Sequence, residues 1–133
     1  ISQPGSPRTN ASAGPPVADP SADQLRAARA LDPGGADGLR ASSYDGDTPI
    51  AERDAIRRSA RWIFTNPDML HIGILSHHHR WRQFFRHLRF IVVDECHHYR
   101  GVFGSHTALV MRRLLRIARA AGADPVVIGA SAT

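Results

Sequence analysis

Two short apolar runs constrain the fold of this chain more than any other feature: FIVV at residues 90–93 and VVIG at residues 126–129. Continuous apolar runs of this length are typical of strands buried on both faces of a parallel sheet. Between them, apolar residues recur at helical spacing and predict a helix from about Ser105 to Ala121, with Val110, Leu114, Ile117 and Ala121 on one face. The chain is therefore predicted to have an α/β fold, a parallel sheet with helices on both faces.

The rest of the chain continues this alternation of strands and helices. Ser21, three residues before Gln24, resembles a capping box and predicts a helix over SADQLRAARAL. Thr48 is a predicted N-cap and Pro49 a predicted first helical residue. Gly122 is predicted to end the long helix. The further predicted elements are strands in LRASSYDGDTP and RWIFT and helical segments in IAERDAIRRSA, NPDMLHIGIL and HHHRWRQFFRHL.

Composition narrows the class of protein. The 133 residues carry a formal charge of +5, which favours polyanionic partners such as nucleic acid. All the cationic residues are arginines, so the chain lacks the lysine of a phosphate-binding P-loop. The single cysteine excludes an internal disulfide, and no apolar run approaches the ~18 residues of a membrane span. Residues 1–20, rich in Pro, Ser, Gly and Ala, are predicted to be disordered, and the protein is expected to be cytoplasmic.

A pair of carboxylates, Asp94 and Glu95, follows the FIVV strand directly. Ligands of open parallel sheets bind beyond the carboxyl ends of the strands, so this pair is placed where a ligand is expected. Two carboxylates cost several kcal/mol to desolvate, which favours a cation or a water-filled cleft beside them, and Mg²⁺ is the cation that prefers such oxygen ligands. The alternative is that both residues merely open a polar loop or cap the next segment.

A second polar motif, SAT at residues 131–133, follows the VVIG strand in the same way. With DECH at residues 94–97, it resembles motifs II and III of the superfamily 2 DEAD/DEAH-box helicases. YDGDT, TNPDMLH and FIVVDECHHYRGVFGSH resemble more narrowly the bacterial mitomycin-repair helicases, related to the RecQ-four branch, which have a C-terminal cysteine-rich region. The resemblance covers roughly residues 21–133.

The resemblance implies a role for each matching residue. Asp94 would hold Mg²⁺ through water, Glu95 would be the catalytic base of ATP hydrolysis, and His97 would link the nucleotide to motif III. Ser131 and Thr133 would relay the nucleotide state to the grip on nucleic acid. TNPDML resembles motif Ib and SADQ the end of motif Ia. This places four residues along the tracked DNA strand: Thr65, Asn66, Asp68 and Gln24.

The chain departs from the family pattern at both ends. Motif I precedes motif Ia in these helicases, and a second RecA-like domain with an arginine finger follows motif III. Neither is found in these residues, so residues 21–133 are predicted to be an incomplete first RecA-like domain, inactive alone, with the second domain as its partner. RNA is not excluded as the tracked strand.

Two other functions remain open from the sequence. One is a basic nucleic-acid-binding remnant of such a domain without ATPase activity. The other is a zinc protein, against which consecutive histidines argue: His77, His78 and His79 on a helix would point about 100° apart. The arginines of 57–61 and 80–89 are interpreted either as a phosphate track or as solvated helix faces, and the aromatic residues beside them as core.

Overall fold

A computed structural model describes residues 20–32, 34, 38–98 and 101–131 of the chain. Residues 1–19, for which disorder is predicted, lie outside these ranges, as does Thr133. Strands and helices alternate along the described chain. The helices are α1 (Pro20–Leu31), α2 (Ile50–Ser59), α3 (Pro67–Met69), α4 (Arg82–Arg86) and α5 (Gly101–Ala120), and the strands are β1 (Ala41–Ser43), β2 (Trp62–Phe64), β3 (Phe90–Val93) and β4 (Val126–Gly129).

The four strands form two parallel pairs, β1 with β2 and β3 with β4. In the second pair Phe90 aligns with Val126 and Val93 with Gly129. This confirms the α/β class and the pairing of FIVV with VVIG. Within the described residues, the two faces of this strand pair differ in burial. Ile91 is buried, whereas Phe90 is 56% and Val92 45% exposed. The apolar run indicates that both faces of the strand pair can be buried, but it does not specify which element packs on each face.

The core lies between α5, β3 and the irregular segment that joins α3 to α4. Leu75, Trp81 and Phe85 are its most deeply buried large side chains. The rings of Trp81 and Tyr44 pack edge-to-face, with 4.8 Å between their centroids. The predicted apolar face of α5 is confirmed, because Val110 and Leu114 are buried in this core while Ile117 and Ala121 pack against it.

Several helix ends differ from the sequence prediction. Helix α1 begins at Pro20, so Ser21 lies inside its first turn and the capping-box prediction is wrong. Helix α2 begins at Ile50 with Pro49 as its N-cap. The Thr48 hydroxyl instead accepts a hydrogen bond from the Asp45 N–H at 2.9 Å, so this side chain closes the preceding turn. The N-cap position is taken by Pro49, and no side chain of the described residues caps α2.

Helix α5 also begins earlier than predicted, at Gly101, and Gly122 ends it with a φ of +93° as expected. Between α3 and α4, where helical segments were predicted in NPDMLHIGIL and HHHRWRQFFRHL, the chain forms a π-helical turn, Leu70–Ile74, and a 3₁₀ stretch, Leu75–Trp81. Over the described ranges, no helix combines the length and the apolar character that crossing a membrane requires.

Candidate functional site

The carboxyl ends of β3 and β4 bring the acidic loop and the serine loop together. The strand ladder continues past both strands, since the Ala130 N–H donates to the Val93 carbonyl at 2.9 Å and the Cys96 N–H donates to the Ala130 carbonyl at 3.1 Å. These two bonds tie the loop that starts at Asp94 to the loop that contains Ser131. The two motifs, 34 residues apart between His97 and Ser131, therefore form one local structure.

Asp94 and Glu95 occupy a tightly turned backbone. The Asp94 Oδ1 accepts the N–H of Glu95 at 2.8 Å, and the Gln24 side-chain amide donates to the other Asp94 oxygen. Glu95 has a φ of +48°, in the left-handed region that costs a residue with a Cβ about 1–2 kcal/mol. Strain of this kind concentrates at functional sites, where the surrounding contacts maintain it.

His97 connects the acidic loop to the serine loop. Its Nε2 lies 3.2 Å from the Glu95 Oε2, and its Nδ1 lies 2.8 Å from the Ser131 Oγ. A carboxylate only accepts hydrogen bonds, so any hydrogen bond across the distance to Glu95 is donated by the His97 Nε2. In a neutral imidazole the Nδ1 then accepts the hydroxyl proton of Ser131. The side chains are partly exposed, 33% for His97 and 49% for Glu95, so a bound ligand can reach them.

The structure divides the predicted site residues into two groups. Asp94, Glu95, His97 and Ser131 form the cluster just described, and Gln24, expected along the DNA strand, also contacts Asp94. Thr65, Asn66 and Asp68 form the second group, after the carboxyl end of β2. Thr133, the remaining predicted residue, lies outside the described residues.

In the second group, two side chains are already engaged within the protein. The Asn66 Oδ1 caps α3 by accepting the Met69 N–H at 2.7 Å, and Asp68 faces His106 at 3.4 Å. The Thr65 hydroxyl is buried and has no hydrogen-bond partner in the described part of the chain. Asn66 and Asp68 are exposed, whereas Thr65 is half-buried.

A third set of polar residues was not expected from the sequence to act together: His71, in the segment after α3, contacts both His106 and Arg113 of α5. These residues are far apart along the chain. Because helical periodicity predicts only the helix face on which a residue lies, it cannot predict that residues of different helices meet. Two of the quoted family-like segments contain members of this set, TNPDMLH with His71 and RGVFGSH with His106, but neither segment indicates that the two residues meet.

The acidic loop fits the way proteins usually bind Mg²⁺. Within the described ranges, no three His, Cys, Asp or Glu side chains converge as a metal cage. Mg²⁺ keeps several waters and commonly uses one or two carboxylates together with substrate phosphates, so a cage of protein ligands is not required. Asp94 and Glu95 are exposed and supply that number of carboxylates.

Comparison with known proteins places this geometry in a family. The family model described as DEAD/DEAH box helicase matches residues 22–133. The chain is 54% identical over 95 residues to the uncharacterized ATP-dependent helicase YprA of Bacillus subtilis. This match covers 71% of this chain and 13% of that protein. It is 63% identical over 75 residues to the ATP-dependent helicase HRQ1 of Saccharomyces cerevisiae, covering 56% of this chain and 7% of that protein.

Solved structures agree with the sequence comparison. The DUF1998 helicase MrfA, crystallised with DNA and AMPPNP, superposes with a TM-score of 0.79 at 49% identity, over 85% of this chain and 16% of that one. The chain therefore spans between about a fourteenth and a sixth of the length of these relatives. The predicted family is confirmed: the chain belongs to the DEAD/DEAH box helicase family.

Proposed function

We propose that this chain is part of the motor of an ATP-dependent DNA helicase, which couples ATP hydrolysis to translocation along DNA or to its unwinding. The family membership supports this proposal, as does the likeness to a helicase crystallised with DNA and an ATP analogue. Residues 21–133 would form part of the first RecA-like domain. A second RecA-like domain would be the partner that completes the motor, and the location would be cytoplasmic.

The observation that carries the proposal is the link from Glu95 through His97 to Ser131. A carboxylate poised to accept a proton is what a general base needs, and general bases contribute about 10²–10⁴-fold to a rate. Glu95 would orient and deprotonate the attacking water. His97, in contact with both loops, would hold Glu95 in place and connect it to Ser131 and, through that loop, to Thr133.

Asp94 would hold Mg²⁺ through water molecules. Bound there, Mg²⁺ would neutralise charge on the nucleotide phosphates. The Gln24 amide donates to Asp94 and fixes the direction of its carboxylate, which leaves lone pairs on both oxygens for water. Gln24 is thus better placed to orient the Mg²⁺ carboxylate than to contact DNA.

Thr65 and Asn66 would contact the tracked DNA strand, chiefly through the Asn66 amide and nearby backbone N–H groups. The net charge of +5 supports an anionic strand as partner. A remnant that binds nucleic acid without hydrolysing ATP would keep this group of residues but would make no use of the Glu95–His97–Ser131 link. The two functions therefore differ in whether Glu95 matters for turnover.

The test is a chimera in which residues 22–133 replace the matching segment of the Bacillus subtilis relative YprA. Glu95→Gln keeps the shape and removes the base, so we expect DNA-stimulated ATP hydrolysis to fall by about 10²-fold or more while single-stranded DNA still binds. Glu52→Gln, an exposed change on α2, is the matched control and should leave the rate unaltered. Equal turnover in the Glu95→Gln chimera and its parent would refute the assignment, and an inactive parent that binds DNA would favour the remnant.

A further inference from the structure

Helix α5 makes polar contacts with Asp68, one of the predicted DNA-contacting residues, and with the segment that follows it. The His106 Nε2 lies 3.4 Å from the Asp68 Oδ1, and the His106 ring packs edge-on against His71 at 5.7 Å between centroids. His106 is in the second turn of α5, which begins at Gly101, shortly after the acidic loop. A contact at this position therefore connects the chain just after the acidic loop to the chain just after Asn66.

Arg113 makes a second contact, two turns further along α5. Its Nη1 lies 3.2 Å from the His71 Nδ1, and its Nη2 donates to the Leu75 carbonyl at 3.3 Å. A guanidinium group only donates hydrogen bonds, so the His71 Nδ1 must accept and the ring proton of His71 lies on Nε2. One arginine thereby holds both a side chain and a backbone carbonyl of the facing segment.

The segment held in this way is irregular. Leu75 is the residue at which the π-helical turn passes into the 3₁₀ stretch, and His77 inside that stretch has non-helical angles, φ −116° and ψ 30°. Changes of helix type leave carbonyls without their regular partners, and such places often mark hinges or functional sites. The Leu75 carbonyl lies 3.1 Å from the His78 Nδ1 of the same segment and also accepts from Arg113, so α5 adds a tertiary contact at the point where the helix type changes.

Asp68 is better suited to this contact than to a direct contact with DNA. Its carboxylate has the same sign of charge as a phosphate, so a position along the strand would be repulsive. In the structure it faces His106, at the start of α3, whose N-cap is Asn66. Fixing α3 against α5 therefore fixes the orientation of Asn66.

We propose that His71, His106 and Arg113 are positioning residues, which we name the α5 bridge, and that they set the grip on DNA by holding the Asn66–Leu75 segment against the helix that follows the acidic loop. This inference rests on the proposed function. The contacts of the bridge in the described residues are with Asp68 and Leu75 and among its own members, and not with Asp94 or Glu95. Its loss should therefore weaken the response to DNA more than it changes the use of ATP.

The first test uses this 133-residue chain and does not depend on ATPase activity. Amide hydrogen exchange is compared for the parent, His106→Ala and Arg113→Lys. Partly exposed polar contacts such as Asp68–His106 contribute about 0.2–1 kcal/mol, so His106→Ala should speed exchange across residues 67–75 by about 1.5- to 5-fold, with little change in β3 and β4. Arg113→Lys removes the simultaneous contacts with the His71 ring and the Leu75 carbonyl, so it should speed exchange across residues 67–75 by at least the same factor. Unchanged exchange in residues 67–75 for both variants would overturn the proposal.

The second test uses the YprA chimera and follows ATP hydrolysis as single-stranded DNA is added. His106→Ala should raise the DNA concentration for half-maximal stimulation about 2- to 5-fold, while the KM for ATP and the DNA-free rate stay constant. His106→Gln, whose amide can donate near the position of Nε2, should restore the parent value. His79→Ala, an exposed histidine in contact with the His78 ring, is the control and should change none of these quantities.

Two results in the chimera would contradict the bridge. One is an unshifted DNA response in His106→Ala. The other is a parallel loss of thermal stability, KM for ATP and DNA response that His106→Gln does not rescue, which would indicate a general structural role. The proposed function is tested separately, by comparing ATP hydrolysis of the Glu95→Gln chimera with that of its parent. If that proposal fails, the hydrogen-exchange measurement on the 133-residue chain still tests the α5 bridge.

Discussion

The His97 Nδ1 lies 2.8 Å from the Ser131 hydroxyl, and this contact joins two motifs that the chain carries on different strands. The parallel register of β3 and β4 brings the two loops to the same end of the sheet. Two backbone hydrogen bonds beyond the strand ends then hold the loops side by side. The side-chain contact is therefore built on a backbone scaffold that does not depend on either side chain.

Stability should fall at acid pH because of two aspartates outside the site. The N–H groups of Gly34 and Leu39 donate to the Asp32 carboxylate and lower its pKa. The Ser43 hydroxyl, followed by the Thr48 hydroxyl and nearby N–H groups, lowers the pKa of Asp45. A carboxyl whose folded pKa is below its ordinary 3.8 stabilises the fold above that value, and this contribution is lost as pH falls through the depressed folded pKa.

Urea unfolding of the chain between pH 7 and pH 3 measures this effect. We expect the free energy of unfolding to decrease below about pH 5, and Asp32→Asn or Asp45→Asn to lower it at pH 7 and to flatten its dependence on pH. Asp124→Asn, in an exposed pair with Arg119, is the control and should leave the slope as in the parent. A slope that neither Asp32→Asn nor Asp45→Asn reduces would show that other groups cause the acid sensitivity.

Removing a core side chain should be far more costly than removing the same side chain at the surface. Leu75 is fully buried, whereas Leu31, at the end of α1, is 80% exposed. Leu75→Ala should lower the free energy of unfolding by about 2–5 kcal/mol, through lost burial and the cavity left behind. Leu31→Ala should change it by less than about 0.5 kcal/mol. Similar losses in urea unfolding for the two variants would place the core elsewhere.

Gly122 should be required for the end of α5. Its φ of +93° disfavours any residue with a Cβ, while no atom lies within 4 Å of where a Cβ would be. Gly122→Ala should therefore cost about 1–2 kcal/mol from backbone conformation alone. Gly46→Ala also enters open space, but Gly46 has no positive φ, so the change should be within about 0.5–1 kcal/mol of neutral. Thermal unfolding of both variants checks the difference.

The sequence predicted the scaffold of the site better than its side-chain contacts. Apolar runs and strand order suffice to place Asp94 and Ser131 at one end of a parallel pair, because parallel strands end on the same edge. The partners of Gln24 and Asp68 could not be found this way. Each lies tens of residues from its partner in the chain, so each contact depends on tertiary packing.

The segment from Leu70 to Trp81 shows the same limit for secondary structure. The sequence predicts helical segments in NPDMLHIGIL and HHHRWRQFFRHL, without specifying the type of helix. The structure instead changes helix type at Leu75, where Arg113 of α5 donates to the backbone. Tertiary contacts override local propensity here.

The central claim is that the acidic loop and the serine loop act as one unit through His97. A double-mutant cycle on DNA-stimulated ATP hydrolysis by the chimera, with His97→Ala, Ser131→Ala and the double variant, tests it most directly. Residues in contact commonly show coupling of about 0.5–3 kcal/mol, so we predict a double variant no slower than the slower single variant. Ser59→Ala, which removes a hydroxyl bonded to the Ala55 carbonyl on α2, should combine with His97→Ala multiplicatively. Multiplicative losses for His97→Ala with Ser131→Ala would contradict the claim.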